Sequence, residues 1–140
     1  MISLRKAQTI VKVTLARGRE MELKPLTVVV LDAGGHVIAA AREDGASVGR
    51  FELARGKAYG SVMLGIAGTA QMARAESQAY FVDAMNGLFG GRFVPVPGGV
   101  IVRDRKGAIV GAVGVTGDSS ENDAAVATAG IEAAGLSAEI

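Results

Sequence analysis

The chain has no cysteine, no tryptophan and a single histidine, His36, and each shortage removes a class of chemistry. Without cysteine there are no disulfides, no thiol nucleophile and no thiolate metal site. A lone histidine excludes the multi-histidine clusters that usually hold zinc, so no metal site is expected. Four Phe and two Tyr offer few rings on which bases could stack. Fifteen Lys plus Arg against fourteen Asp plus Glu leave a formal charge of +1, without the basic excess of a nucleic-acid binder. No apolar run is long enough to span a bilayer. The N-terminal stretch is interrupted by Arg5, Lys6, Lys12, Arg17 and Arg19 and has no apolar region with a cleavage site. The expectation is a soluble, cytoplasmic protein with neither a nucleic-acid nor a membrane partner.

What is present is an apolar framework: 49% hydrophobic and 21% charged residues in 140, which suits a single domain over residues 1–140 that buries roughly two-thirds of its unfolded surface. Ser3 can cap a helix whose apolar positions Leu4, Ala7, Val11 and Leu15 recur at helical spacing, with Lys24-Pro25 as its stop. The β-branched run Thr27 to Leu31 ends at Asp32, and Ala33-Gly34-Gly35 reverses the chain into a second apolar run, His36 to Ala41, which reads as a β-hairpin. A helix follows from about Val48 to Leu64. Another is expected from Thr69 to about Leu88, with Ala73, Tyr80, Phe81, Ala84 and Leu88 as its buried line. The Gly- and Pro-rich stretch Asn86 to Gly99 reads as a loop with at most a short strand at Phe93 and Val94. Val100 to Arg103 and Ala108 to Val115 form a second hairpin around Asp104-Arg105-Lys106-Gly107. Gly111, Gly114 and Gly117 leave gaps there for a bend or for close approach of another backbone or ligand. A last helix starts near Asp118-Ser119-Ser120, where Glu121 has capping-box spacing from Asp118, and runs to Gly135. Hairpins between batches of helices imply an antiparallel sheet in an α+β layer fold.

Polar groups concentrate between Leu26 and Lys57, where acid, base and cation fall within about one hairpin and one helix. His36 is the best single proton carrier, since imidazole titrates near neutrality; the alternative is donation to a turn carboxylate such as Asp32. Arg42 and Asp44 form either a surface ion pair or, through the guanidinium fork, an anchor for a carboxylate. Lys57 is either a solvated helix residue or a site cation. Gly98-Gly99 is either a plain turn or a pair of free N–H groups that cradle an anion. GAVGVTG lacks the Lys and spacing of a P-loop. Strand alternation puts His36 and Arg42 on one face of the sheet with Cα atoms about 20 Å apart, too far to grip one small ligand within a subunit.

The runs VVVLDAGGHVIAAAREDGA, LARGKAY, VPGGVIV, KGAIVGAVGVTG and DAAVATAG resemble the GlcG/HbpS family, related to the C-terminal domain of the PduO proteins, over about Ser3 to Leu136. Asp32, Gly34, Gly35, His36, Arg42, Asp44, Gly45, Lys57, Gly98, Gly99, Gly114 and Gly117 match the family's pattern. Gly60 and Ser61 depart from it, and no histidine stands near the N-terminus, where some relatives have a haem ligand. The resemblance implies a five-stranded antiparallel sheet flanked by helices, a profilin-like or PAS-like layer, assembled as a homo-oligomer from dimer to octamer. It also implies haem as a cofactor, with His36, Tyr59, Tyr80, a Met or a Thr left to ligate it.

Two functions of different class follow. In the first, the protein binds a small molecule, haem or a related cofactor, in an oligomer-interface pocket built from Arg42, Lys57 and Gly98-Gly99. In the second it is a small enzyme, an isomerase, tautomerase, lyase or hydrolase acting on a small carboxylate. There His36 and Asp44 are the candidate catalytic residues, and Arg42, Lys57 and the Gly98-Gly99 amides hold charge in fixed donors.

Overall fold

Two short turns with the same chemistry shape the sheet. In the computed structural model, which describes all residues Met1–Ile140, Asp32 Oδ1 accepts from Gly34 and His36 N–H, and Asp104 Oδ1 accepts from Lys106 and Ala108 N–H. Each aspartate thereby ties its own turn. Gly35 and Gly107 close these turns at φ 83°, a left-handed conformation that glycine adopts freely.

The strands are β1 (Thr27–Asp32), β2 (Val37–Arg42), β3 (Gly99–Arg103), β4 (Ile109–Thr116) and β5 (Ser137–Glu139). They form a five-stranded sheet in the order β2-β1-β4-β3-β5, antiparallel throughout. The fifth strand is the short C-terminal β5 at the sheet's edge. No strand forms at Phe93 and Val94: Phe93 is buried, and Val94 N–H bonds Gly56 O of the neighbouring helix. In β2 the register slips opposite Val30 and Leu31, where Ala39 pairs with Val30 but Val37 with Leu31. That bulge inserts one residue and breaks the alternation, so His36 and Arg42 do not share a face.

Helices cover both faces of the sheet. Ser3 caps α1 (Leu4–Glu20) by accepting from Lys6 N–H. This helix ends before the Lys24-Pro25 stop, through a left-handed Glu22 at φ 55° whose N–H returns to Arg19 O. Its buried Ala7, Ile10 and Thr14 lie against α5 (Ser120–Ala133). The N-cap of α5 is Ser119, which accepts from Asn122 N–H. Asp118 instead binds Lys24 N–H, Ser119 N–H and the Asn122 amide, so the Asp118–Glu121 capping box does not form. With Val28, Val30, Val100, Val102, Val113 and Val115, these two helices bury the larger core.

On the opposite face α2 (Arg50–Leu64) lays Ala54 and Ala58 on Val29, Leu31 and Ala112. Gly114 is what lets it come so close, because a Cβ there would overlap Ala54 O. The single helix expected from Thr69 to Leu88 is two, α3 (Gly68–Ser77) and α4 (Ala79–Leu88), broken at Gln78 with φ −142° and ψ 63°. The break resets the helical phase. Val82 is the buried residue of α4, and Met85 and Phe89 pack on the smaller core. Tyr80 and Leu88, expected in the buried line, are both 72% exposed.

Candidate functional site

Apart from His36, the structure divides the polar residues of the sequence into three separate places. The first surrounds Lys57. Its ammonium is buried, donating to Asp123 Oδ2 at 3.1 Å and to Val115 O at 3.0 Å. Asp123 lies in the first turn of α5, and its other oxygen accepts Asp118 N–H. Burial pushes the Lys57 pKa below its ordinary value and pushes that of Asp123 up, each against the attraction of the other. Gly98, at φ 104°, lies directly on the pair: a Cβ there would stand 3.0 Å from Lys57 Nζ and 3.2 Å from Asp123 Cβ. Gly99 is pressed onto the Lys57 carbonyl. Lys57, Gly98 and Gly99 therefore do come together, but around an internal ion pair, and Lys57 is not a solvated residue.

The second place holds Arg42. With Arg19, Pro25, Glu43 and Asp44 it lines an open groove in which four of the five side chains are charged. Glu43, rather than Asp44, is the fixed acid: it takes Arg19 Nε at 3.1 Å and Leu26 N–H at 2.7 Å. Arg42 and Asp44 are exposed and form no ion pair with each other. His36 lies elsewhere again, at the hairpin turn, its side chain 81% exposed with Nδ1 3.3 Å from Asp32 Oδ1. Hydrogen bonds from His36 and Gly34 N–H hold the Asp32 carboxyl below its usual pKa.

The third place is a cleft of about 330 Å³ between α2 and the segment 91–94. Glu52, Arg55 and Tyr59 follow one another at helical spacing on α2 and form one wall with Leu53; Arg92 and Val94 form the other. Gly56 lets the segment dock, since a Cβ there would meet Val94 Cγ2 at 2.7 Å and Arg92 O at 3.0 Å. Asn86 pins the segment by accepting Phe93 N–H at 2.9 Å. Arg92 donates to Phe89 O and lays its guanidinium 4.4 Å over the Tyr59 ring, a cation–π contact. Arg55 Nε is buried with no hydrogen-bond partner. Leu53 and Val94, the Tyr59 ring and two guanidinium groups, with the Glu52 carboxylate among them, give the cleft mixed walls, chemistry suited to a flat ligand that carries negative charge at its edge.

A family model described as haem degrading protein HbpS-like matches residues 2–132. The chain belongs to the HbpS-like family. Among solved structures, a PduOC:haem complex superposes with a TM-score of 0.84 at 24% identity, covering 96% of this chain and 95% of its own. The Klebsiella pneumoniae protein ORFY gives 0.83 at 22%, covering 96% and 90%. HbpS gives 0.80 at 24%, covering 93% and 87%. At these identities the likeness to the HbpS-like structures shows the fold. Comparison with curated protein sequences finds no match.

Sequence reasoning did not single out Asp123 or Arg92 as site residues. A buried lysine demands an acid, but Asp118, Glu121 and Asp123 crowd one short stretch, and only the packing of α5 selects among them. Arg92 lies in a Gly-rich loop whose path depends on the contact at Gly56.

Proposed function

We propose that the chain binds haem, or a related flat cofactor bearing carboxylates, in the cleft between α2 and residues 91–94, with a second copy of the chain covering what the cleft leaves open. The observation that carries this is Arg55: a guanidinium Nε buried without a partner, in a cleft that Arg92, Leu53 and Val94 also line. A buried polar group without a partner is costly, and a carboxylate at the ligand's edge removes that cost. The haem complex among the structural neighbours and the family's description support haem as the ligand. The volume, about 330 Å³, is at the small end for ligand sites and fits one edge of a macrocycle. Leu53 is 39% exposed beside the cleft, where a neighbouring copy would cover it.

Bound haem supplies the redox and oxygen chemistry of its iron. The chain's own residues bind and orient it: Arg55 and Arg92 hold carboxylates, while Leu53, Tyr59 and Val94 exclude water from the ring edge. The carboxylate-enzyme alternative has less support, because the buried Lys57 gives two of its three donors to Asp123 and Val115 O while His36 and Arg42 stand apart from it.

Titration with hemin tests the proposal. A saturable Soret shift is expected, and Arg55→Gln or Arg92→Gln each weakens binding about tenfold, the worth of one charge-assisted hydrogen bond. A spectrum equal to free hemin at every protein concentration overturns it.

A further inference from the structure

We propose that two copies of the chain pair along β2, antiparallel about a two-fold axis beside Ala40, so that their sheets join into one; the inference is independent of the haem reading. In the order β2-β1-β4-β3-β5 the sheet has two edges. The β5 edge is three residues long and carries Glu139, tied to Arg103 at 2.6 Å, and short, charged edges resist pairing. The β2 edge is six residues, VIAAAR, with neither Pro nor Lys and its only charge at the last position. The bulge at Ile38 disturbs the hairpin end alone, since Ala39 to Arg42 run in regular register with Val30 to Thr27.

The open groups of that edge follow from the ladder. Glu43 N–H bonds Leu26 O, and in an antiparallel pair of strands bonded and non-bonded residue pairs alternate. Arg42 opposite Thr27 and Ala40 opposite Val29 are therefore non-bonded pairs, whose N–H and C=O groups point away from β1. A second β2 related by a two-fold axis at Ala40 exchanges both backbone bonds of Ala40 with its counterpart. Beside the edge, α1 and β2 line a groove in which five of seven residues are apolar, Leu4, Val11 and Ile38 among them, with Gln8 and Lys12 the polar two; Leu4 is 57% exposed. Antiparallel pairing within one sheet needs an axis perpendicular to it, which sets α1 of both copies on the same side, beside the joined edge. Unlike ends also meet. His36 stands at one end of the strand and Glu43-Asp44 at the other, so the antiparallel arrangement brings acid to imidazole, whereas a parallel one would set acid beside acid. An isologous contact of this kind closes on itself and leaves no open edge at β2.

The chain has no cysteine, so single introduced cysteines report the contact. Oxidation of Ala40→Cys should yield a disulfide-linked dimer, because paired residues at the axis have Cα atoms about 5.5 Å apart, and Ser137→Cys on β5 should not. Ala40→Pro removes an N–H that faces outward and leaves the ladder to β1 in place. With its fold confirmed by circular dichroism, it should sediment with half the wild-type mass or less, and its Arg42 amide should exchange with deuterium about tenfold faster than in the wild type, or more. A monomeric wild type, an Ala40→Pro protein of unchanged mass, or crosslinking at Ser137→Cys but not at Ala40→Cys overturns the proposal, and the last result would assign the contact to the β5 edge.

Discussion

Lys57 on α2 and Asp123 on α5 meet at 3.1 Å with side-chain exposures of 6% and 1%, joining the helix layers on opposite faces of the sheet. Two charges taken from water repay their desolvation only when the geometry is good and the remaining bonds are made. Here Val115 O and Asp118 N–H make them. Removing one partner leaves the other charge buried and alone, so Lys57→Met is expected to cost about 3 to 5 kcal/mol. The double variant Lys57→Met with Asp123→Leu should recover most of it. Urea unfolding measures both, and a Lys57→Met protein as stable as the wild type would refute the account.

Gly98 and Gly107 both have positive φ, at 104° and 83°, but different surroundings. A Cβ at Gly98 meets Val115 O at 2.8 Å and Lys57 Nζ at 3.0 Å, whereas nothing lies within 4 Å at Gly107. Substitution by Ala strains the backbone at both, by about 1 kcal/mol or more. Gly98→Ala should lose clearly more stability than Gly107→Ala; equal losses would mean that backbone strain alone accounts for Gly98.

Asp118 gives the fold an acid-sensitive joint. Its carboxylate accepts from the Asn122 amide, Lys24 N–H and Ser119 N–H, which lower its pKa from 3.8 to about 2. The folded state thus binds this proton less tightly than the unfolded chain. The stability it contributes is present above pH 3.8 and is lost as the pH falls toward 2. Asp118→Asn should flatten that part of the stability-against-pH curve. A curve of unchanged slope between those values would assign the acid sensitivity to other groups.

His36→Ala tests whether the imidazole belongs to the binding site. Because the side chain is 81% exposed and its partner is the adjacent turn, the substitution should change stability by less than about 0.5 kcal/mol and leave the hemin spectrum as it is. A diminished Soret shift would bring His36 back as a ligand, supplied by the same subunit or by a neighbour.

Exposed apolar residues predict self-association. Val48 is 82% exposed, and Tyr80 and Leu88 72% each, surfaces that soluble chains usually cover in symmetric assemblies. Light scattering should give a mass that is a multiple of 14.2 kDa, reduced by Leu88→Glu; a monodisperse monomer at micromolar concentration would exclude it.

Turn chemistry and side-chain period were enough to read both hairpins, the start of α1 and the α+β class, because an aspartate bonding its own turn and a glycine closing it act within a few residues. The fifth strand came only through the family resemblance, since Ser137–Glu139 is too short to carry a period of its own. Phase was harder. One bulged residue in β2 turned His36 away from Arg42's face, and one break at Gln78 put Tyr80 and Leu88 outside, because a local slip moves every later side chain to another face. The pairing of charges lay beyond local pattern altogether. Lys57 and Asp123 are 66 residues apart, and nothing along the chain distinguishes that lysine from a solvated one until α2 and α5 pack against the sheet. The cleft has the same origin: Arg55 and Tyr59 follow from helical spacing, but Arg92 reaches them only because Gly56 lets a distant loop lie against the helix. Residue types determined which chemistries were available; burial across the chain decided which charge is neutralised inside and which is left to meet a ligand.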